Sequence, residues 1–275
     1  MRAFARHRAG LVGLALVAAL AAVGLGAPFV ALEPPDQQDL GRALTRPGAA
    51  HPLGTDELGR DLWSRIAYGA RISLGFAVVI VAVAALLGLV MGLAAGHYRG
   101  VVDEVLMRVT DVLLAFPGFL LAIAIVSVLG SGSLVNVAIA LTIFIVPGFA
   151  RLVRATALAE GARDYVEAAR ALGAPDLALM ARHLLPNIVG TLTVQATLRM
   201  GTVILLLSGF SFLGLGPRPP TPEWGLMLAT GNGYLRTDPH LALVPGIAIV
   251  LAVLGFNLLG DALRDLLDPH LRHLR

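Results

Sequence analysis

The 275-residue chain contains no cysteine and no lysine, and all 21 of its basic residues are arginine. The absence of cysteine excludes disulfides, thiolate metal sites and a cysteine nucleophile within this chain. The absence of lysine excludes Schiff-base chemistry and the lysine of a nucleotide-binding GxxxxGK[ST] loop. The seven histidines show neither HExxH nor i, i+4 ligand spacing. The sequence therefore predicts no metal, no cofactor and no catalytic centre.

Charged residues are also scarce, at 14% of the chain, whereas 57% of the residues are hydrophobic and the mean hydropathy is +0.79. Soluble domains are less apolar, so this composition indicates an all-α membrane protein. An apolar helix of about 20 residues crosses the hydrocarbon core of a bilayer. Stretches of roughly that kind predict six transmembrane helices, at 9–32, 72–95, 112–129, 134–150, 188–213 and 241–259.

The first apolar stretch follows Arg2, Arg6 and Arg8. It is longer than the apolar region of a cleaved signal peptide, about 7–15 residues, so a retained span is favoured over a signal peptide. The spans divide the chain into four parts. These are the N-terminal tail with the first span (1–32), an extracytoplasmic segment (33–71), a membrane core of five helices (72–262) and a cytoplasmic tail (263–275).

Arginine is distributed unequally between the two sides of the predicted membrane. Of the 21 arginines, 13 lie in the two tails, in the 97–111 loop or between 151 and 182, and seven lie in the opposite loops beside eight acids. The positive-inside rule therefore places both termini in the cytoplasm, together with the region between the fourth and fifth spans. On this interpretation the positive charge reports membrane topology and not nucleic-acid binding.

Three local features shape the expected loops and spans. Residues 56–68 are predicted to form an amphipathic helix at the membrane surface, with most charges of the surrounding segment in solvent. Residues 97–111 are predicted as a short charged loop. Pro117 is predicted to kink the third span, which membrane helices tolerate when neighbours satisfy the freed backbone groups.

A polar stretch, Asp164–Asn187, interrupts the apolar chain between the fourth and fifth spans. Its sequence, DYVEAARALGAPDLALMARHLLPN, predicts one short helix over 165–172 that Gly173 ends, and a second over 177–184. Pro186 is predicted to open the next span. This pattern alone fits an ordinary cytoplasmic helical hairpin as well as a stiff element that meets a partner in water.

Few polar residues lie within the predicted spans, and each is a functional hypothesis. Arg199 lies about halfway along the fifth span, where an unpaired arginine costs at least ~2.5–3.5 kcal/mol. It is a candidate for the lining of a translocation path, with snorkelling or pairing to another subunit as the alternative. Gln195 and Asn136 are weaker candidates for the path, because such residues commonly form hydrogen bonds between helices.

At the polar stretch, the sequence resembles the EAA---G---------I-LP loop of permease subunits from ATP-binding-cassette (ABC) importers. Histidine at 183 stands where that pattern usually has isoleucine. The resemblance implies a type I ABC importer permease fold, in which a cytoplasmic coupling helix within the loop 156–187 docks on an ATP-binding subunit. The residues that match the pattern, and that the resemblance assigns to this coupling, are Glu167, Ala168, Ala169, Gly173, Leu185 and Pro186.

Three further stretches resemble one branch of that family, the second permease subunit of dipeptide, oligopeptide and nickel importers. They are HPLGTDELGRDLWSRIAYGARISL, YRGVVDEVLMRVTDVLLAFPG, and SFLGLGPRPPTPEWG, which leads into the extracytoplasmic loop 214–240. One departure is Leu207, where the resemblance leads us to expect an acidic residue. The extracytoplasmic signature residues of the first stretch are Gly54, Thr55, Asp56, Gly59, Arg60, Asp61 and Arg65.

The resemblance implies a permease subunit that moves peptides across the cytoplasmic membrane and performs no chemistry itself. The implied partners are a second homologous permease subunit, two ATP-binding subunits, an extracytoplasmic substrate-binding protein and membrane lipid, with no nucleic acid. Nickel or another small solute is the alternative substrate within the same branch. A secondary transporter, which usually carries intramembrane acids, and a membrane scaffold are the alternatives of other classes.

Overall fold

The computed structural model describes residues 7–267, and the regular elements in this part of the chain are helices. A 3-10 turn (Leu40–Arg42) and a π-helical segment (Leu179–Leu184) accompany the α-helices. Arg2, Arg6 and most of the predicted tail 263–275 lie outside the described residues. The α-helices are α1 (Arg8–Leu25), α2 (Ala27–Val30), α3 (Leu62–Tyr98), α4 (Gly100–Ala115), α5 (Gly118–Leu129), α6 (Leu134–Gly161), α7 (Asp164–Ala171), α8 (Asp176–Ala178), α9 (Leu185–Phe212), α10 (Trp224–Asn232) and α11 (His240–Leu267).

Five helical stretches within residues 7–267 are long and apolar enough to cross a membrane. The helices α4 and α5 meet the same criterion as a pair, but they are bent by 92°. The all-helical membrane architecture is confirmed, and the bundle has six crossings when the bent pair is one of them. The five single stretches are Arg8–Leu25, Leu62–Tyr98, Leu134–Gly161, Asp176–Phe212 and His240–Leu267.

The third predicted span differs most from expectation. The 97–111 region is not a loop, because α3 and α4 are separated only by Arg99, whose positive φ of 55° makes a sharp turn. Further along, α4 and α5 are separated by Phe116 and Pro117. Proline lacks an N–H and disfavours a helical conformation in the residue before it. The predicted kink is therefore a complete break between two helices.

The centre of the bundle is the contact between α3 and α6. Gly88, Gly92 and Gly96 recur every four residues and share one face of α3. A Cβ added to Gly88 or Gly92 would overlap atoms of α6, and one added to Gly96 would lie 2.7 Å from the Cβ of Ala157. Glycine at these positions lets the two backbones pack in direct contact, as small residues do in membrane helices.

The helix α1 packs into the same bundle. A Cβ added to Gly13 would lie 2.7 Å from the backbone nitrogen of Leu259 on α11, and one added to Gly24 would lie 2.9 Å from that of Arg71 on α3. These close approaches show that α1 is an integral helix of the fold.

The amphipathic helix predicted over 56–68 is wrong in its first half. Residues 56–61 form turns, and α3 begins at Leu62 and continues without interruption into the second span. The Asp61 side chain accepts from the N–H of Ser64 at 2.7 Å and so caps the new helix. The first two turns of α3 take the place of the separate surface helix.

Candidate functional site

The polar loop, Asp164–Asn187, begins with α7, which ends at the glycine that the sequence predicts. Gly173 has a φ of +84°, in the left-handed region that residues with a Cβ rarely adopt. Its N–H donates to the carbonyl of Arg170 at 3.0 Å, and the N–H of Ala174 donates to that of Ala169 at 3.1 Å. These two bonds form a Schellman motif, which satisfies free carbonyls at the helix end and fixes the direction of the chain beyond it.

The second half of the polar loop is not a separate helix. From Asp176 the chain is helical through α8, the π-helical segment and α9 to Phe212. In the π-helical segment, the N–H of Leu185 donates to the carbonyl of Met180, five residues earlier. Pro186 provides a physical reason, because it has no N–H for an α-helical bond and its ring crowds the preceding turn. Pro186 thus lies inside a continuous helix and does not open the next span.

One face of the polar loop is buried against the bundle. Its apolar side chains form a small cluster with α6, separate from the main core. The members, each 1% exposed, are Val166, Leu179, Leu184 and Ile188 from the loop and α9, and Val153 and Ala157 from α6. Burial of each larger side chain contributes roughly 1.5–3 kcal/mol relative to exposure, so the loop is held firmly on the membrane helices.

The opposite face of the polar loop is exposed. Glu167 and Ala168 lie in solvent on α7, Gly173 and Pro186 are exposed, and Ala169 and Leu185 are half-buried. Two leucines stand out at the turn, because Leu172 is 89% exposed and Leu177 is 74% exposed. The residues that match the family pattern therefore border an exposed surface that carries both an acid and apolar side chains.

Polar contacts brace the loop at both ends. The hydroxyl of Tyr165 donates to a Glu160 carboxylate oxygen at 3.2 Å and accepts from the Asn187 amide at 3.1 Å. Partial desolvation, and secondarily the Glu160 carboxylate, raises the pKa of Tyr165. Midway along the loop, a ring nitrogen of His97 on α3 lies 2.9 Å from an Asp176 carboxylate oxygen. Nothing in the sequence near these residues indicates either contact.

Arg199 and Gln195 lie one turn apart on the same side of α9. Gln195 lines a groove of about 490 Å³ together with Leu152 on α6 and Arg264 on α11. A Cβ added to Gly148, one turn along α6 from Leu152, would lie 3.5 Å from a guanidinium nitrogen of Arg199. The half-buried Arg199 thus continues the line of the groove towards the middle of the bundle.

Asn136 does not join that groove. Its amide nitrogen donates to the carbonyls of Leu129 and Gly130, at 2.9 and 2.8 Å. Both amide hydrogens are then used to close the turn between α5 and α6, and a structural role accounts for the residue.

At the far end of the bundle, all seven signature residues of the 54–65 stretch are buried. One Asp56 carboxylate oxygen lies 2.6 Å from Arg60 Nε and 3.3 Å from Arg65 Nε. Arg65 also donates to the carbonyls of Pro35 and Pro220, at 2.9 and 3.2 Å. The expectation that most of these charges lie in solvent is wrong, because paired and hydrogen-bonded charges can be buried. This arginine cluster (Asp56, Arg60, Arg65) ties the 33–71 segment to the loop 214–240.

Asp61 is fully buried beside this cluster. One of its oxygens caps α3 through Ser64, and the other lies 2.8 Å from a ring nitrogen of His51. The Ser64 hydroxyl oxygen accepts from the N–H groups of Leu32 and Glu33, at 3.0 and 3.2 Å. The cap of α3 therefore also fixes the chain just after α2.

The remaining signature residues allow close backbone contacts. Gly54 and Gly59 have φ values of +83° and +72°. A Cβ added to Gly59 would overlap the carbonyl oxygen of Asp39. The Thr55 hydroxyl donates to the carbonyl of Arg42. These residue types are required by the geometry of a compact cap over this end of the bundle.

Arg60 also borders a cavity of about 180 Å³, and its Nη1 is buried without a hydrogen-bond partner within the described residues. The cavity lies between the 56–65 stretch and α10, with Met227 and Thr230 on its wall.

Glu223 is a buried carboxylate that the sequence did not single out, although it lies in the quoted SFLGLGPRPPTPEWG stretch. It caps α10 by accepting from the N–H of Leu226 at 2.8 Å, and it lies 3.3 Å from the Ser73 hydroxyl. Burial raises the pKa of Glu223, against hydrogen bonds that favour its charged form. Within residues 7–267, no three His, Cys, Asp or Glu side chains are placed to hold a metal ion.

Comparisons with known proteins add the family context. Residues 84–273 match the family model of the binding-protein-dependent transport system inner membrane component, and residues 1–47 match that of the N-terminal transmembrane domain of oligopeptide transport permease C. The glutathione transport system permease protein GsiD of Pectobacterium atrosepticum is 45% identical over 274 residues, covering 98% of this chain and 90% of the relative. The GsiD protein of Escherichia coli O6:K15:H31 is also 45% identical, covering 98% and 89%.

Among solved structures, an amino acid ABC transporter with bound histidines is similar in fold. The TM-score is 0.54 at 16% sequence identity, and the match covers 71% of this chain and 91% of that one. At this identity the likeness concerns the helical architecture only.

Proposed function

The chain belongs to the family of binding-protein-dependent transport system inner membrane components, and on that basis we propose that it forms half of the membrane pathway of a peptide importer, with glutathione as the first substrate to test. ATP hydrolysis takes place in separate subunits in this proposal. The family is a transport permease family, and within residues 7–267 no phosphate-binding loop or metal-ligand group is present.

The observation that carries the proposal is the construction of the polar loop. Its buried face is fixed on α3 and α6 by an apolar cluster, while its exposed face carries the EAA residues and two exposed leucines. Such an element can transmit a displacement because it is stiff and because it is joined to α9 without a break. The exposed face is our candidate for the docking contact with an ATP-binding subunit, made by Glu167, Ala168, Ala169 and Gly173, with Leu185 and Pro186 at its boundary.

In the mechanism that we propose, ATP binding closes two ATPase subunits and carries the polar loop with them. The loop moves as a rigid lever, and α9 turns with it because the helix is continuous from Asp176 to Phe212. The groove beside Gln195 and Arg199 then opens alternately to the two sides. A helix that began anew at Pro186 would absorb part of this movement at the joint.

The proposed partners follow from the surfaces of the chain. A second, homologous permease subunit supplies the other half of the path, and an external substrate-binding protein docks on the cap formed by 33–71 and 214–240. Membrane lipid covers the exposed apolar side chains of the spans. The arginine distribution supports a multi-pass protein of the cytoplasmic membrane with both termini and the polar loop in the cytoplasm.

Along the path, Arg199 is the residue whose chemistry matters most for a peptide. Its guanidinium can bind a carboxylate through two parallel hydrogen bonds, and peptides and glutathione both carry carboxylates. Gln195 lies on the same side of α9 and supplies neutral donor and acceptor groups. Asn136 is less suited to this role, because its amide closes the α5–α6 turn.

The test is reconstitution of the complex that co-purifies with the chain. We expect it to contain two ATPase subunits and a second permease, and to import labelled glutathione or dipeptides into proteoliposomes when ATP and the binding protein are present. Uptake of nickel without peptide would assign the alternative substrate. Uptake driven by a proton or sodium gradient, with no ATPase in the complex, would refute the proposal.

A further inference from the structure

A polar contact joins the end of α3 to the polar loop. The side chain of His97, in the last turn of α3, is only 4% exposed, and its ring nitrogen lies 2.9 Å from Asp176. The Asp176 side chain is 61% exposed. Asp176 is also the first residue of the continuous helix that becomes α9. The two residues are 79 positions apart, so this bond is a tertiary contact across the loop.

Apolar contacts lie directly beneath this bond. Leu89 and Leu93 of α3 pack against the cluster that includes Leu179 and Leu184 of the polar loop. Leu89, Leu93 and His97 recur every four residues and therefore form one stripe along α3. The histidine ends a stripe that faces the polar loop over more than two turns.

The neighbouring stripe of α3 faces α6. It is the glycine stripe of Gly88, Gly92 and Gly96, whose backbone contacts leave no room for a Cβ. Because two helices packed at this distance cannot slide without steric overlap, α3 and α6 behave as one body. A displacement that reaches His97 is thus passed to both central helices of the bundle.

We infer that His97 and Asp176 are positioning residues whose bond passes the movement of the polar loop to α3. The same movement reaches α9 through the chain itself, because the loop is covalently continuous with α9. The inference rests on the proposed function, since it concerns how the loop drives the transport cycle. The side chains do not touch the substrate or ATP. Their bond keeps the start of the α8–α9 helix in contact with α3 while the ATPase subunits displace the polar loop. The helices α3, α6 and α9 therefore move together.

The first experiment compares substitutions of His97 in the reconstituted complex. His97→Leu keeps a buried apolar side chain and removes the bond, whereas His97→Gln keeps a side-chain N–H that can reach a carboxylate. We expect His97→Leu to lower the number of peptides imported per ATP by roughly threefold to tenfold, the order by which one ordinary hydrogen bond with a solvent-exposed partner shifts an equilibrium. The ATPase rate should persist, and His97→Gln should recover most of the coupling.

Two further variants separate positioning from folding. Asp176→Ala removes the acceptor at an exposed position and should reproduce the defect of His97→Leu in a complex that assembles normally. Glu104→Gln changes another exposed acid, 69% exposed on α4, and should leave the import per ATP unchanged. Full coupling in both His97→Leu and Asp176→Ala would overturn the inference, as would a defect in His97→Gln equal to that of His97→Leu.

A second experiment uses the absence of cysteine in the chain. Cysteines introduced by His97→Cys and Asp176→Cys can be joined by a short bis-maleimide linker without interference from native thiols in this subunit. The unlinked double variant lacks the bond and should show the reduced import per ATP. If the two positions move together, linking them recovers ATP-coupled import. Loss of import on linking would show that the loop moves relative to α3 and would contradict the inference. A wild-type complex that shows no ATP-driven import would instead reject the proposed function itself.

Discussion

Gly173→Val tests the mechanical role of the polar loop at its most restricted backbone position. At a φ of +84°, a residue with a Cβ costs about 1–2 kcal/mol, and valine more because of its branched side chain. If the turn rearranges to avoid that strain, the two Schellman hydrogen bonds are lost, at about 0.5–1.5 kcal/mol each. Either route costs about 1–3 kcal/mol, which shifts the equilibrium between the formed and unformed turn by about one to two orders of magnitude.

The environment of Gly173 makes the interpretation simple. A Cβ added at this position would meet no other atom within 4 Å, so the substitution causes no steric overlap. Gly173 is also exposed and outside the spans, so insertion into the membrane and packing of the bundle should be unchanged. We expect import by reconstituted complexes to fall at least about tenfold, with normal amounts of protein in the membrane.

Two substitutions control this prediction. Asparagine adopts left-handed backbone conformations more easily than other residues with a Cβ, so Gly173→Asn should retain most of the import. Gly161→Val introduces the same side chain at a nearby glycine that also has no atom within 4 Å of an added Cβ but lacks a positive φ. It should import normally. Equal import by Gly173→Val and wild type, or equal loss in Gly173→Asn and Gly173→Val, would refute the reasoning.

Three further changes test other parts of the molecule. Glu167→Arg reverses the charge of an exposed residue in the first turn of α7, where an acid stabilises the helix by only about 0.3–1 kcal/mol. We therefore expect normal insertion into the membrane. Co-purification of the ATPases should be several-fold weaker, and import should be lower. Arg199→Leu should leave assembly intact and raise the KM for peptide import about tenfold or more, as loss of a carboxylate contact does. Gly59→Ala places a Cβ onto the carbonyl of Asp39 and should lower the free energy of unfolding by about 1–3 kcal/mol, measured as a lower melting temperature of the purified protein.

For each of these three variants, one result would contradict the prediction. Wild-type co-purification in Glu167→Arg would remove that residue from the docking contact. Unchanged import and substrate preference in Arg199→Leu would reject its place on the path. Arg108→Leu, at an arginine on α4 whose side chain is 76% exposed, serves as the matched arginine control. Gly48→Ala should keep the wild-type melting temperature, because its Cβ would have an ordinary contact at 3.8 Å; equal effects of Gly48→Ala and Gly59→Ala would refute the packing argument.

The sequence predicted those features that depend on neighbouring residues. The end of α7 at Gly173 was predictable, because a glycine after an alanine-rich helix commonly adopts the left-handed conformation that a Schellman motif requires. The number of apolar stretches and the all-helical architecture were also predictable, because the length of a span follows from the thickness of the bilayer. The composition alone excluded thiol and lysine chemistry.

The features that depend on distant residues could not be predicted in this way. The charged side chains around Asp56 and Arg65 were expected in solvent, yet they are buried because their partners include the carbonyl of Pro220, 155 positions from Arg65. His97 was assigned to a charged loop, since nothing nearby in the sequence indicates Asp176 as its partner. Helix breaks were intermediate cases, because Pro117 and Pro186 were both recognised but have different effects. Pro117 lies between two helices bent by 92°, whereas Pro186 lies just after a π-helical segment, within a continuous helix.

The contacts of Arg65 also have a consequence for biosynthesis. In the orientation that we propose, Asp56 and Arg60 can pair during synthesis as soon as the 33–71 segment has been translocated, because both belong to it. The carbonyl of Pro220 becomes available only after four more crossings have been made, by α3, the α4–α5 pair, α6 and α9. The cap over this end of the bundle can therefore be completed only late, after the four intervening crossings have been inserted.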